Sequence, residues 1–592
     1  MYKGSYFEVS NFGGGYAGNL PDTQIALNQA ADLDNIVIKP QGLGFRSRYG
    51  DDRLGNAFRI IQDLTYVAVA AGVAGEAVTI TYTTGVVSAG SEVCTVIGSA
   101  ISIAIASSTS TATQVKTAFD ANAAATALAS CTISGTAGTA QTSGGVTTLA
   151  LATPLNSAAA IQGTGYYLQE DGDDWIMAVA GNKLYANASL TGGQFTDITG
   201  SLTITAGADK QWDIFTFGNN VLGFGGSVTS PDAPWTWTGS SVATALGGTP
   251  PSAYGAFTAN NRVFAYRTAT DPSTVYWSII GSGADWTGAG SGSAVIGSFS
   301  DNQKVTGACV ISTNYVLVFK ENSTYQMVIG SAPFPVYSLF DNVGAAGKKA
   351  IVNVDGVVYF ITSKGEMKST NGETLTSYPA VADDLWGAVS PSRYAYINGF
   401  RYQGTDHDWL VWSVSTNGTS NNTSIVWDIA NSCWLKCSTG FKYNVSSSDT
   451  FGNVYAGGYD GYVYKPFQST RHADASEAST GAIAAFWQSG WMNPDNLNKI
   501  TQVRKFTALL TPQASGSVTL AYGFDGTANS ASTTLSQVAS GSEQYLQKSA
   551  MLSGRGNTFE FKVSLSSSTI GMEMQRIILA GKVYGQKGQA QE

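Results

Sequence analysis

The chain has 592 residues, of which 12% are charged, 11% are aromatic and 68 are glycine. Its charge is about half the ~25% of an ordinary globular protein, and it is too apolar and aromatic for disorder. A net charge of −9 excludes a general phosphate-neutralising DNA binder, while abundant Gly, Thr, Val and Tyr predict strands and tight turns.

The opening residues hold no basic stretch followed by an apolar one, which predicts a chain without a secretory signal, made in soluble form in the cytoplasm. The weakly apolar run at 66–75 is too short to span a bilayer. Residues 1–56 read as an irregular arm, with a flexible Gly13-Gly14-Gly15 and a short helix within 25–38 carrying Leu27, Ala30, Ala31 and Leu33. A strand follows at 57–64. Residues 67–164 are rich in Ala, Thr, Ser and Gly and lack tryptophan. Segments 78–82 and 101–105 alternate at period two, and 113–128 reads as a helix with Val115, Phe119 and Leu128 on one face. This is a small α+β domain inserted into a larger one, and its removal would rejoin 57–64 to the strand before Trp175.

From Trp175 one pattern recurs: an apolar strand, a Gly/Asn/Asp turn, a second apolar strand. The turns fall at Gly181-Asn182, Asn219-Asn220, Asn260-Asn261, Thr313-Asn314, Asp355-Gly356, Asn398-Gly399 and Asp460-Gly461. Such pairs supply the positive φ of two-residue hairpins. Their mean spacing of about 46 residues is that of four-stranded propeller blades at ~40–50 residues each. Eleven of the 13 tryptophans fall between Trp175 and Trp434, as packing between blades requires. A β-propeller is predicted over 57–66 and 165–468, with the strand at 57–64 closing the ring. One or more β-sandwiches is the alternative. A polar stretch at 469–479 reads as a linker, and strands at 484–487, 503–510, 518–522, 559–563 and 577–580 predict a β-sandwich-like domain over 480–592. The fold class is mostly β: a six- or seven-bladed propeller with an inserted α+β domain and a C-terminal β-sandwich-like domain.

Catalytic signals are absent. The five cysteines are odd in number and far apart, so no disulfide framework follows; Cys433 and Cys437 would sit about 13 Å apart on a strand, too far for one metal. Neither His407, a hairpin-loop residue between Asp406 and Asp408, nor His472, in the linker, has metal-ligand spacing. Asp171-Gly-Asp-Asp174 lacks the terminal Glu of a calcium loop and reads as an exposed acidic turn. No G-x-S-x-G, Walker A or H-E-x-x-H motif occurs. The repeated aspartate boxes of propeller sialidases have one poor echo, Ser447-Ser-Asp449, with Phe451 where glycine is expected. The sequence therefore predicts no enzyme, no cofactor and no metal.

The N-terminal stretch carries a resemblance. Phe12-Gly-Gly-Gly-Tyr-Ala-Gly-Asn19, the segment ending Leu33-Asp-Asn-Ile, and Gly42-Leu-Gly-Phe-Arg-Ser-Arg-Tyr-Gly50 resemble the start of the tail nozzle proteins of short-tailed bacteriophages, also called tail tubular protein B or tail stabilisation proteins. In that family a glycine-rich opening leads through a Gly…Arg…Gly strand into a β-propeller. The resemblance covers the N-terminal segment, and the propeller by architecture alone; the insertion departs from it. It implies a structural virion protein in the tail, assembled in the host cytoplasm into a ring, six-fold in the family. Its partners would be other copies of itself, a portal-side adaptor, and tail fibres or spikes. DNA would pass through the lumen without specific binding, and the tip could touch the host envelope.

Charge distribution agrees with that implication. Residues 168–470 hold 15 Lys+Arg and 23 Asp+Glu, a net of −8. Each phosphate contact adds affinity and slows sliding, so an acidic wall suits a DNA conduit. The candidate channel-lining acids are Asp171, Asp173, Asp174, Asp383, Asp384, Asp406 and Asp408. The alternatives from other classes are a receptor- or glycan-binding tail propeller, which needs an aromatic-lined polar pocket, and a propeller glycan hydrolase.

Overall fold

The computed structural model describes residues 5–21, 24–86, 88–149, 159–190, 192–378, 382–404, 407–468, 472–475, 482–492, 499–539, 541 and 543–585. Between residues 161 and 465 the chain folds into seven consecutive antiparallel sheets, spanning 161–197, 211–245, 253–295, 305–341, 351–377, 398–437 and 443–465. The first six are four-stranded meanders. The seventh supplies three strands and receives its fourth, Asp52–Arg53, from the N-terminal arm.

The first strand of each sheet packs on the first strand of the next, and that of the seventh packs on Ile161–Leu168 of the first. Asn444 Nδ2 donates across that last seam to the Ile161 carbonyl at 2.7 Å. Gly165 shows how close these approaches are: a Cβ there would stand 2.4 Å from Ile214 Cγ2 in the second sheet. Two of the turns named from sequence have the anticipated geometry. Asn260 and Asn261, and likewise Asp355 and Gly356, all take positive φ at two-residue hairpins.

The strand at 57–64 does not close the seam. Gln62, at φ 54°, folds Asn56–Ile61 back onto Leu64–Ala71, which pairs in turn with Ala129–Ile133 of the insertion. The insertion thus begins at the strand Asn56–Ile61. It has its own core, in which Tyr66, Ile80, Ile103, Val115 and Phe119 are fully buried or nearly so. Its helix Ala112–Asp120 starts at a capping box between Thr111 and Gln114, and Asn122 caps the next helix, Ala123–Leu128.

Nor is the N-terminal arm irregular. No helix forms among its described residues within 25–38; Asp32–Asp34 and Ile36–Ile38 are strands. The first pairs with Ile483–Gln488, and the second with Phe45–Ser47, which in turn joins Glu573–Gly585. The arm therefore adds strands to both C-terminal sheets, one of six strands and one of five, whose facing sides meet at Phe506 and Phe561. Trp487 and Phe45, both fully buried, share a single core with the fifth to seventh sheets.

Residues 472–475, read as linker, are also structural. Asp474 forms a buried ion pair with Arg48. Arg48 Nε further donates to Asn35 Oδ1 at 2.8 Å, its Nη1 to the Tyr49 carbonyl at 3.0 Å and its Nη2 to the Thr439 carbonyl at 2.7 Å. All five guanidinium donors are thereby placed. One side chain ties the arm, the 472–475 segment and the junction of the sixth and seventh sheets.

Candidate functional site

The inner strands converge on a charged cluster. Lys348, immediately before the fifth sheet, is buried, and its Nζ donates to the Gln211 carbonyl at 2.9 Å and the Tyr254 carbonyl at 2.7 Å. It also lies 3.2 Å from Asp213 Oδ2, while Lys349 Nζ lies 2.9 Å from Asp213 Oδ1. Lys348 thus reaches from the fifth sheet to the second and third, across the middle of the array. Arg393, leading into the sixth sheet, meets Asp209 ahead of the second at 2.6 Å. The centre of the seven sheets is occupied by side chains and is no conduit.

Burial pushes the Lys348 ammonium down to about 8, and the two lysines hold the Asp213 carboxyl below its ordinary range against the effect of burial. Lys348 Nζ also stands 4.5 Å from the centroid of the Tyr254 ring, and with its three polar partners this makes the cluster a cross-brace. Burial also raises the phenols of Tyr254, Tyr266, Tyr443 and Tyr464. A raised folded value gives stability that is complete below the ordinary tyrosine value of about 10 and lost above it. Lys348, lowered when folded, works the other way and adds stability as pH rises from about 8. Thermal stability should therefore hold or rise slightly up to about pH 10 and fall steeply beyond it. Tyrosinate absorbance measured alongside should appear with unfolding; appearance of the full signal in the folded chain near the ordinary tyrosine value contradicts this.

The candidate acids are not brought together. Asp171 and Asp173 share the loop between the first and second strands of the first sheet, and Asp174 begins the second strand. Asp171 and Asp173 are exposed, and Asp174 accepts a hydrogen bond from the Tyr166 hydroxyl. Asp408 begins the second strand of the sixth sheet and is paired in bidentate fashion with Arg401, at 2.9 and 2.8 Å. Asp406 lies outside the described residues. Asp383 and Asp384 stand elsewhere, on a short helix, Asp383–Gly387, at the outer flank of the sixth sheet; there Asp384 accepts a hydrogen bond from Tyr16 of the arm.

His407 lies in its predicted loop but is packed rather than open, with Tyr402 and Trp409 ring centroids 5.3 and 4.7 Å away. All five cysteines are free. Among the described residues no group of three or more His, Cys, Asp or Glu is placed to hold a metal, and no helix is long and apolar enough to cross a membrane.

A cleft of about 340 Å³ opens beside the helix that carries Asp383. Its walls come from the third and fourth strands of the fifth sheet and the fourth strand of the sixth, and include Tyr378, Trp386 and Trp434. The T-shaped Trp386–Trp434 pair has its centroids 5.9 Å apart, and Trp434 continues to Trp427 at 5.0 Å. Sequence reasoning missed this cleft and the Lys348 cluster. The signal for the cleft was Trp386 directly after Asp383-Asp384-Leu385, in a chain whose tryptophans otherwise sit mainly in strands.

No family model matches the chain, and no curated protein matches it. Among solved structures it is similar to virginiamycin B lyase from Staphylococcus aureus, at 11% identity over 53% of this chain and 97% of that one, with a TM-score of 0.36. It is similar to the WD40 β-propeller domain of Doa1, at 12% identity over 54% and 95%, with a TM-score of 0.35. It is also similar to BamB from Moraxella catarrhalis, at 11% identity over 55% and 89%, with a TM-score of 0.30. Likenesses of this size leave function to be argued from the chain's own residues.

Proposed function

We propose that the chain is a non-enzymatic structural subunit of a virion ring, built on a seven-bladed β-propeller whose last blade is completed by Asp52–Arg53. More particularly, it is a tail nozzle protein of a short-tailed bacteriophage. It forms part of the tube through which DNA leaves and a platform for other tail proteins.

The observation that carries this reading is the N-terminal segment. The residues that resemble the nozzle family, Phe12 to Asn19 and Gly42 to Gly50, include Arg48, the residue that joins the arm, the 472–475 segment and the junction of the sixth and seventh sheets. The family-like stretch is thus the mechanical joint of the molecule. Two further observations support the ring. Lys348 and Arg393 fill the centre of the single chain, so any conduit has to run between copies. The net −8 over 168–470 suits a wall that repels a duplex.

A heterologous interface that repeats and closes gives a cyclic ring. Imaging of intact tails is expected to show about six copies around one axis, in contact with an adaptor on the portal side. One or two copies per particle, or a location away from the tail axis, overturns the reading.

A further inference from the structure

We infer that the centre of the seven sheets binds a small tetrahedral oxyanion, inorganic phosphate or sulfate, between Arg267 and Arg393. The inference is independent of the nozzle reading, since it rests on the charges of this cluster alone.

The centre carries more cations than its carboxylates answer. Lys348 and Lys349 share Asp213, and Arg393 takes Asp209. Arg267, on the second strand of the third sheet, is 9% exposed and has no carboxylate partner among the described residues. Four positive charges thus meet two negative ones, inside a stretch whose net charge is −8. A buried charge without compensation is costly, and a doubly charged anion restores the balance.

Arg267 differs from other buried arginines in its unused donors. Arg48 and Arg393 each meet a carboxylate, and Arg262 donates to the Ser278 and Gly290 carbonyls at 2.5 and 2.8 Å. Arg267 Nη1 reaches only the Val305 carbonyl, at 3.5 Å, and its Nε is buried without a partner. Its backbone takes φ 59°, a left-handed conformation that costs a bulky residue energy and is found where a side chain's place matters. The guanidinium stands 4.9 Å from the centroid of the Tyr254 ring, the same ring that Lys348 approaches.

Further donors converge on the same place. Arg393 and Tyr396 belong to the 3-10 turn that leads into the sixth sheet, across the array from Arg267. The charges of Arg267 and Arg393 both act on the Tyr396 phenol, and Arg267 and Tyr396 both act on that of Tyr254. Neither hydroxyl is hydrogen-bonded among the described residues, and burial raises both phenols, which stay protonated donors at neutral pH. Arg393 Nε is also buried without a partner. A tetrahedral oxyanion is acceptor-only and can take both guanidinium edges and both hydroxyls at once.

The same features set aside other ligands. A cation meets the excess of positive charge, and chloride offers no second oxygen to a guanidinium fork. With Arg267 and Arg393 9% and 5% exposed, a bare ion fits where a nucleotide does not. The two carboxylates do not repel the anion, because Asp213 is neutralised by two lysines and Asp209 by Arg393.

The test is titration calorimetry and thermal melting of the full chain with sodium phosphate and sodium sulfate, against sodium chloride at equal ionic strength and adenosine monophosphate. Both oxyanions are expected to bind with a dissociation constant on the order of 1 mM or below, and to raise the melting midpoint above its value in chloride. Arg267→Gln should weaken phosphate binding about ten-fold or more, and Tyr396→Phe about five-fold. If Arg267→Gln does not fold, Tyr396→Phe decides alone. Absence of binding by both oxyanions, equal stabilisation by chloride, nucleotide binding as tight as that of phosphate, or affinity unchanged in the folded variants overturns the assignment.

Discussion

An Arg48→Ala variant is expected to lose about 3–5 kcal/mol of stability, because it leaves the Asp474 carboxylate buried and unpaired. Both side chains of that pair have no exposure, so water cannot take over the missing partner. The loss includes more than the ion pair. Asn35, Tyr49 and Thr439 each lose a donor, and the Phe441 ring loses the guanidinium 4.3 Å from its centroid. Arg48→Lys keeps the charge but has three donors where five are used, so it should fall between the two. The double variant Arg48→Met, Asp474→Leu removes both charges and should regain most of the loss, as buried pairs exchanged for apolar side chains commonly do. The measurement is the midpoint of the first urea transition. Because the arm strand Asp52–Arg53 lies four residues beyond Arg48 and completes the seventh sheet, the Arg48→Ala transition should start at that seam. Protection of the seventh sheet from hydrogen exchange, followed in parallel, should fall before that of the third. An Arg48→Ala chain that unfolds at the parental midpoint refutes the keystone role.

What the sequence made legible, and what it hid, follows from the range of the interactions. Turn chemistry is local, so Asn260-Asn261 and Asp355-Gly356 could be read directly, and seven turn signals gave seven sheets. The positions within sheets were less legible. Gly181-Asn182 and Asp460-Gly461 join second to third strands, whereas the turns of the second to fifth sheets join first to second. The uneven spacing at the two ends of the series arose from that difference. Asn398-Gly399 misled for another reason: it opens a strand, because the 391–396 stretch before it forms a 3-10 helix rather than a strand. The arm hid its strands because Asp32–Asp34 finds its partner more than 450 residues away, at Phe486 to Gln488, and no local period reports such a pairing. The same holds for the sites. Asp171 and Asp173 announce an acidic loop by themselves. Lys348 sits in an ordinary Gly-Lys-Lys run, and only the convergence of three sheets makes it a brace. Trp434 reads in sequence as one strand tryptophan among many, and its packing on Trp386, 48 positions earlier in the chain, comes only with the fold.

Reversing charge in the loop of the first sheet tests the repulsive wall of the proposed nozzle. Asp171 and Asp173 suit this experiment because both are exposed, whereas Asp174 and Asp408 are held by Tyr166 and Arg401 and their replacement would disturb the fold. Asp171→Lys with Asp173→Lys shifts each chain by four charges, roughly 24 over a ring of six if the copies close as proposed. Repulsion across water fades within about 8–10 Å at ordinary salt, so the effect appears only where the loop lines the bore. There the lysines would meet phosphates directly, and each neutralised phosphate adds a slope of about −0.9 in log affinity against log salt. The reversed particles should therefore retain DNA and eject it slowly at low salt, and approach the parental rate as salt rises. Asp383→Lys, made in parallel, puts the same question to the outer flank, where the parental rate is expected because that helix packs against the arm through Asp384 and Tyr16. Ejection at the parental rate with no retained DNA at low salt, in rings that carry the first pair of substitutions, would show that this loop does not face the duplex. The acidity of residues 168–470 would then serve solubility or a neighbouring tail protein rather than the passage of DNA.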